Sequence, residues 1–420
     1  MITMKNSNIE WIGEIPSDLE VLLVKDGVTQ KKANEHQEDP VVLTLARSGV
    51  KIRDMSNAEG QFASSYYDYN PVTIDDMLIN PMDLISGDNC SLSKVEGVIS
   101  PAYVNLRYRE GFYPAYYQYY FKYQYWCMAF FAHGKGVSFE NRWTLNNETL
   151  MKFPLIVPPL EIQKSIAKFL DQKCSEIDSL SADIQSQIDI LDTYKKSVIF
   201  TAISKGLNPN VKMKESGVDW VGSIPEHWRF EKGKYHFTNN KFIPGVNSGK
   251  YQRLSLTLNG VLPRSKDDAD GLQPKDINTY QLLKKGELVF KLIDLQNVST
   301  SRIGLAHDTG LVSPAYIVLH AKEDILPEYI QYFYLMMWHR EIFNALGDNG
   351  VRSSLSASDL LNIRIPIPPL NVQQEIANYL DTKCDEIDAV ITDKKTQLKT
   401  LAEYKKSLIY EYVTGKKEVL

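Results

Sequence analysis

The sequence predicts an α+β protein built twice: two mixed modules, each with a twisted sheet, each followed by one long helix. Three observations carry this. The landmarks of the 420-residue chain recur once at a nearly constant shift. Each copy ends in a stretch of apolar residues at helical spacing that no Gly or Pro interrupts. The stretches before these are rich in β-branched and aromatic residues and are punctuated by Gly, Pro, Asn and Asp.

The repeat fixes the architecture before any local assignment is made. Ile9 to Pro16 reads IEWIGEIP and Val218 to Pro225 reads VDWVGSIP, a shift of 209 residues. GVISPAYVNL from Gly97 returns as GLVSPAYIVL from Gly310, a shift of 213. VPPLEIQKSIAKFLDQKCSEID from Val157 returns as IPPLNVQQEIANYLDTKCDEID from Ile367, a shift of 210. From Pro158 to Ile199, 21 of 42 aligned positions are identical, and both copies close on YKKS, at Tyr194 and Tyr404. Between the landmarks, segments Glu20 to Glu96 and Phe230 to Thr309 share little. A constant frame therefore holds two divergent inserts.

The helical part follows Pro158 and Pro159, which end the strand-like FPLIV. Its stripe runs Ile162, Ile166, Phe169, Leu170, Ile177, Leu180, Ile184, Ile188, Leu191 and Val198. This near-heptad spacing supports a helix of about 45 residues, roughly 65 to 70 Å at the rise of an α-helix. The second copy repeats the stripe with Val372, Ile376, Leu380, Ile387, Val390, Ile391, Leu398, Leu401 and Leu408. A narrow stripe on so long a helix needs a partner, and the chain supplies two such helices to pack on each other.

The modules before them are mixed. Val98 to Leu106 and Leu311 to Leu319 have strand composition, while Tyr113 to Phe131 and Pro327 to Leu346 read as one aromatic-rich helix each. YPAYYQYYFKYQYWCMAFF resembles a stacking platform for bases, yet PEYIQYFYLMMWHREIF shares its Pro, Tyr, Gln and Tyr positions. A core helix common to both modules accounts for that better.

Composition bounds the function. With 47 Lys and Arg against 52 Asp and Glu, 43% hydrophobic and 24% charged residues, the chain is an ordinary globular one of two or more domains. No apolar run spans a bilayer and MITMKNSNIE is no signal peptide, so no membrane is involved and the cytoplasm is the expected location. Cys90, Cys127, Cys174 and Cys384 are far apart and suggest neither disulfides nor zinc. There is no phosphate loop; GKGV at Gly134 lacks the upstream glycine and the hydroxyl residue. No Asp-Pro-Pro-Tyr, GxSxG or HExxH motif occurs, and the seven histidines are scattered. The sequence therefore predicts a chain with no catalytic residues, metal or cofactor of its own.

Charge by region adds more. Residues 1–157 hold 14 basic and 19 acidic side chains, whereas residues 209–367 hold 19 and 17. Candidate stripes for a phosphate backbone are Arg47, Lys51 and Arg53 in the first module and Arg253, Arg264, Lys266, Lys291 and Arg302 in the second. Each reads equally well as a solvated surface charge.

The order WIGEIP, variable region, SPAY, Gly-Val turn, PPL-x-x-Q, long helix with L-D-x-K, then YKKS, all occurring twice, resembles the specificity (S) subunit of type I restriction-modification systems. The resemblance covers essentially the whole chain. It implies two target recognition domains, residues 1–157 and 209–366, each reading one half of a bipartite asymmetric site on double-stranded DNA. It implies that the helices, residues 158–208 and 367–420, pair as an antiparallel coiled coil through Ile166, Leu170, Ile177, Ile184, Ile188 and Leu191 against Ile376, Leu380, Ile387, Leu398, Leu401 and Leu408. The partners implied are methyltransferase (M) subunits, one per half, and a motor-nuclease (R) subunit. Methyl donor, ATP and Mg²⁺ sites then belong to those partners, which directs adenine methylation and DNA cleavage to them. The family's DNA-facing turn maps onto Lys135, Ser138 and Arg142, and onto Asn349, Arg352 and Ser353, with Arg352 placed to reach guanine or a phosphate.

The first copy departs from the pattern at PSDLEV, where Leu19 stands in the place of Trp228 in PEHWRF; a packing difference is expected. Two other readings remain open: the recognition subunit of another multisubunit methylation or phage-defence system, and a coiled-coil scaffold that binds no DNA. The first is separated by the proteins that co-purify, the second by sequence-specific protection of DNA.

Overall fold

In a computed structural model the described residues are 3–32, 40–54, 65–85, 89–138, 143–264, 276–293, 295, 301–347 and 354–419. The chain divides into two compact units: residues 1–185 with 395–420, and residues 186–394. The domain ranges expected above follow the chain, whereas each compact unit takes in a stretch of both long helices.

In the first unit the central sheet runs Val28–Lys31, Val104–Tyr108, Met77–Ile79, Cys90–Leu92, every neighbour antiparallel. Glu20–Leu23 pairs with Pro154–Val157, so the start and end of the module are tied together. The aromatic helix Pro114–Trp126 begins with Pro in its first turn, where the missing N–H costs nothing. It buries Tyr116, Tyr117, Tyr120, Phe121 and Tyr125 against the sheet, with the Tyr108 and Tyr117 rings stacked 5.5 Å apart. These aromatics are core, as the comparison of the two copies indicates.

The second unit repeats the plan. Its sheet runs Phe237–Thr238, Ile317–Ala321, Leu288–Phe290, Ile303–Leu305, and Arg229–Lys232 pairs with Arg364–Ile367. A further sheet, Gly260–Arg264, Arg253–Thr257, Gly310–Val312, Gln281–Leu283, has its counterpart in the first unit, where the hairpin Leu43–Ala46/Gly49–Ile52 meets Gly97–Ile99 through a parallel bridge from Val42 to Val98 and Gly97–Ile99 pairs with Asn70–Val72. The aromatic helix here is Pro327–His339. One expectation is corrected in both copies: neither aromatic helix is continuous. Met128 (φ 62°) and Glu341 (φ 57°) adopt the left-handed conformation and break it, and a short helix follows, Ala129–Ala132 or Ile342–Leu346.

The long helices are Leu160–Lys205 and Leu370–Val413. Within the first unit they run antiparallel: Phe169 meets Tyr412 with ring centroids 4.5 Å apart, and Asp178 accepts from Lys405 Nζ at 2.7 Å. Within the second unit Lys195 Nζ donates to Asp388 at 2.5 Å, and Lys394 Nζ donates to Gln187. Ile166, Leu170, Ile177, Ile184, Ile188, Ile376, Leu380, Ile387 and Leu408 are buried, whereas Leu191, Leu398 and Leu401 are half-buried. Ile162, Leu180 and Val390, read as part of the stripes, are exposed; the true seam is narrower and includes Cys174 and Cys384. No helix among the described residues is long and apolar enough to cross a membrane.

Two polar residues of the repeated motif explain why the frame is constant. The Gln of each PPL-x-x-Q is fully buried. Gln163 accepts from the Tyr113 N–H at 2.7 Å and donates to the carbonyls of Gly111 (3.0 Å) and Pro158 (2.7 Å). Gln373 accepts from the Leu326 N–H at 2.8 Å and donates to Asp324 (3.0 Å) and Pro368 (2.9 Å). One side chain thus caps the aromatic helix and locks it to the start of the long helix, satisfying groups that would otherwise be orphaned. Above each, a tyrosine hydroxyl donates to the Asp of L-D-x-K, Tyr119 to Asp171 at 2.7 Å and Tyr332 to Asp381 at 2.6 Å.

Candidate nucleic-acid interface

In the first unit the hairpin Leu43–Ala46/Gly49–Ile52 points Leu43 and Leu45 inward onto Val72, Leu78 and Ile99. The period-two alternation of a strand then turns Lys51 outward. Arg47 lies in the exposed turn of the same hairpin, and the half-buried Arg53 follows it, its N–H bonded to the Val42 carbonyl at 2.8 Å. These three predicted residues therefore share one hairpin.

The Gly-Val turn of this unit is a second loop. Lys135 bridges Thr144 through two backbone hydrogen bonds, and Trp143 Nε1 donates to the Phe131 carbonyl at 3.0 Å. Gly134 is required because a Cβ there would lie 2.7 Å from Trp143 and 2.8 Å from Leu84. The loop presents exposed Lys135 and Ser138, with Val137 85% exposed between them. Its neighbour is the turn at Pro81, whose carbonyl accepts from Leu145. Arg142 lies outside the described residues.

The second unit separates its predicted cations. Arg302 is only 1% exposed, and its guanidinium donates to the carbonyls of Ile293 (3.1 Å) and Lys291 (3.4 Å). Arg253 is 7% exposed, paired in register with the half-buried Arg264 across the hairpin Arg253–Thr257/Gly260–Arg264. As surface contacts for a phosphate backbone, Arg302 and Arg253 are corrected: a buried guanidinium spent on backbone carbonyls, or sealed in the sheet, is not presented to a ligand. Lys291 is half-buried. Lys266, Asn349, Arg352 and Ser353 lie outside the described residues.

Sequence reasoning missed two charged clusters. Asp76, fully buried, accepts from Lys31 Nζ at 2.8 Å, Arg107 Nε at 2.6 Å and the Thr73 N–H at 2.8 Å. Lys31 and Arg107 are thereby occupied internally. In the second unit His236, almost fully buried, lies between Asp324 (Nδ1 to Oδ2, 2.8 Å) and Glu231 (Nε2 to Oε2, 3.1 Å), and Arg229 Nη2 donates to Asp324 at 3.1 Å. Burial tends to raise the Asp324 carboxyl, but the bonds from Arg229 and His236 outweigh it and hold that group below the usual carboxylate range. Neither cluster has a spacing visible in the sequence. Among the described residues no group of three or more His, Cys, Asp or Glu is arranged to hold a metal ion.

A tandem duplicate whose two modules share one frame and differ in the sequence of their inserts defines a class: a protein with two heads of one origin. The chain belongs to the type I restriction modification DNA specificity domain family, whose model matches residues 113–189 and 229–400. It is similar to the type I restriction enzyme MjaVIII specificity subunit of Methanocaldococcus jannaschii, 28% identical over 302 residues, covering 67% of this chain and 65% of that protein. It is also similar to the EcoKI specificity subunit of Escherichia coli K12, 24% identical over 256 residues, 56% of this chain and 52% of that one. The chain thus spans just under two thirds of the length of the first relative and about half of the second. Among solved structures, a chain from work on complex assembly and conformational transition of the type I R-M system matches with a TM-score of 0.69 at 11% identity, over 96% of this chain and 99% of that one. The HsdS subunit from Thermoanaerobacter tengcongensis matches with a TM-score of 0.50 at 12% identity, over 96% and 98%. At these identities the likeness is one of fold.

Proposed function

We propose that the chain is the sequence-specific DNA-recognition subunit of a type I restriction-modification complex. Each module reads one half of a bipartite, asymmetric site, and partner subunits carry out adenine methylation and cleavage. The observation that carries this reading is the duplication itself: one frame of Gln163 or Gln373, Asp171 or Asp381 and the aromatic helix, kept twice, beneath inserts that repeat one sheet plan with little shared sequence. A frame held constant while its outer surface diverges suits two readers of different base sequences.

The reading assigns chemistry to other chains. Two methyltransferase subunits, one per repeat, supply the methyl-donor site, and a motor-nuclease subunit supplies ATP and Mg²⁺ chemistry. The exposed residues Arg47, Lys51, Lys135 and Ser138, with Arg142, Asn349, Arg352 and Ser353, are the proposed DNA contacts of the two modules. Direct readout needs such side chains on base edges, and lysines and arginines on phosphates set the register.

The test is co-expression with the methyltransferase subunit of the same system in a methylation-free host, followed by sequencing for modified adenines. A split motif, two short specified halves with a fixed unspecified gap, is expected. An assembled complex that leaves the genome unmodified sinks the reading.

A further inference from the structure

From Lys232 to Lys266 the second repeat carries seven cations (Lys232, Lys234, Lys241, Lys250, Arg253, Arg264 and Lys266) and no Asp or Glu; of these Lys234, Lys241 and Lys250 are exposed, while Arg253 is buried. The matching stretch of the first repeat, residues 23–57, mixes six cations with five acids. Within the basic stretch lies the loop KFIPGVNSGK, Lys241 to Lys250. It presents Val246, 93% exposed, and Phe242, 55% exposed, beside an exposed Ile243, with exposed Lys241 and Lys250 at its two ends.

The loop is not slack. The Phe242 carbonyl accepts from the Leu282 N–H at 2.8 Å, and Lys241 Nζ donates to the Pro314 carbonyl at 2.8 Å. The Asn247 and Tyr251 N–H groups close turns on Pro244 and Ser248, and Gly245 takes the left-handed conformation (φ 59°) that the bend needs. A single exposed apolar side chain is ordinary, but three in five residues, held on pinned backbone inside an acid-free basic segment, form a built surface. Its exposed lysines are complementary to a polyanion, and its tip sets the apolar Val246 beside an exposed Asn247. In the major groove the apolar feature of a base edge is the thymine C5-methyl group.

We infer that the loop Lys241–Lys250 enters the major groove of the half-site read by the second module. Val246 and Phe242 pack on thymine methyl groups there, and Lys250 takes a neighbouring phosphate. This rests on the DNA-recognition reading above and names a reading element within it. It also makes the second module the stronger electrostatic anchor of the two.

The experiment uses the full chain in complex with its methyltransferase subunit and a duplex carrying the motif found by methylation sequencing. Deoxyuridine replaces thymine in each half in turn, which removes only the methyl group. For wild type, loss of a contacted methyl lowers affinity about three- to fourfold, the size of one buried carbon. Val246→Ala is expected to weaken the unmodified duplex by a similar factor and to cancel the uracil penalty in one half only, with Phe242→Ala as a second, independent variant. Lys250→Ala weakens all sequences alike and lowers the salt slope by about one unit. A uracil penalty that persists in full in both variants, or is absent from wild type, overturns the loop assignment while the split motif leaves the recognition reading standing. Loss of co-purifying methyltransferase from Val246→Ala, with DNA affinity per complex unchanged, overturns it in favour of a protein-docking role. Absence of any split motif removes both readings before a variant is made.

Discussion

The same joint is built in two different ways in the two repeats. In each, a carbonyl near the start of the module accepts from an N–H after the last central strand: Gly27 from Arg109 at 2.9 Å, His236 from Lys322 at 2.9 Å. In each, a buried Gln holds the next residue but one, Gly111 or Asp324. What fills the joint is unrelated. In the first unit the Phe112 ring lies over Gly27, so close that a Cβ there would sit 2.5 Å from it. In the second, His236 occupies the equivalent position and is held by Asp324 and Glu231, with Arg229 alongside. The backbone bonds define the frame, and the space between them accepts an aromatic ring or an ionic cluster. The difference leaves one joint filled by an aromatic ring and the other dependent on a carboxylate.

The largest effects should fall on the shared frame and be equal in the two copies. Gln163→Ala and Gln373→Ala each orphan one N–H and two carbonyls in a buried setting, so each should cost about 3 to 4 kcal/mol. Denaturant unfolding of the full chain, with hydrogen exchange to locate the loss, checks this. A clear inequality would mean that the two frames are not equivalent.

Next comes the joint itself. Gly27→His forces a side chain into the Phe112 ring and should destabilise the first unit by about 1 to 3 kcal/mol. Adding Phe112→Ile, the residue type found at the equivalent Ile325, should recover part of that. If the double variant is no better than the single one, the ring is not the obstacle.

A smaller contrast lies where each long helix ends. Gly206 (φ 74°) abuts Trp228 and Gly415 (φ 71°) abuts Leu19 and Pro16. Alanine at either position carries a left-handed strain of roughly 1 kcal/mol. At Gly415 a Cβ would also lie 2.7 Å from Leu19, against 3.1 Å from Trp228 at Gly206, so Gly415→Ala should be the worse of the two by about 1 kcal/mol. Thermal unfolding of the two variants orders them. The smaller leucine does not leave this corner loose: Leu19 is buried and fills the position against the helix end.

The smallest effect is the pH dependence of the second joint. The Asp324 carboxyl is held below its ordinary value, so its contribution is fully present above the unfolded value near 4 and is lost as pH falls through the lower folded value. Asp324 is well over a third exposed, so solvent screening limits the contribution to under about 1 kcal/mol. Hydrogen exchange at residues 229–236 should rise, as pH falls below about 4, more than at residues 20–27, and Asp324→Asn should remove the difference. Equal responses in both stretches would show that the ionic joint does not titrate as argued.

The sequence made the frame legible because the frame is where duplication left identities. PPL-x-x-Q, L-D-x-K and the aromatic helix are repeated because Gln163 and Gln373, Asp171 and Asp381 and the helix tyrosines make the same bonds in both copies. The helix break at Met128 and Glu341 was invisible, because neither residue type signals a left-handed conformation. The candidate interface was legible only in part. Arg47 and Lys51 lie on a hairpin as charged, alternating residues should, but Arg302 and Arg253 read identically in sequence and are buried. Charge type does not reveal whether a guanidinium faces water or a row of carbonyls. The loop Lys241–Lys250 was passed over for the converse reason: its apolar residues resemble core, and only their exposure distinguishes them.

By itself the sequence determined the tandem duplication, the two long amphipathic helices, the mixed character of the modules and the family. All of these depend on periodicity and identity, which are properties of the linear chain. The tertiary structure decided which stretches of both helices each compact unit takes in, which cations are structural, and how one joint can be apolar and the other ionic. Those depend on burial, and burial is set by what the rest of the fold brings against a residue.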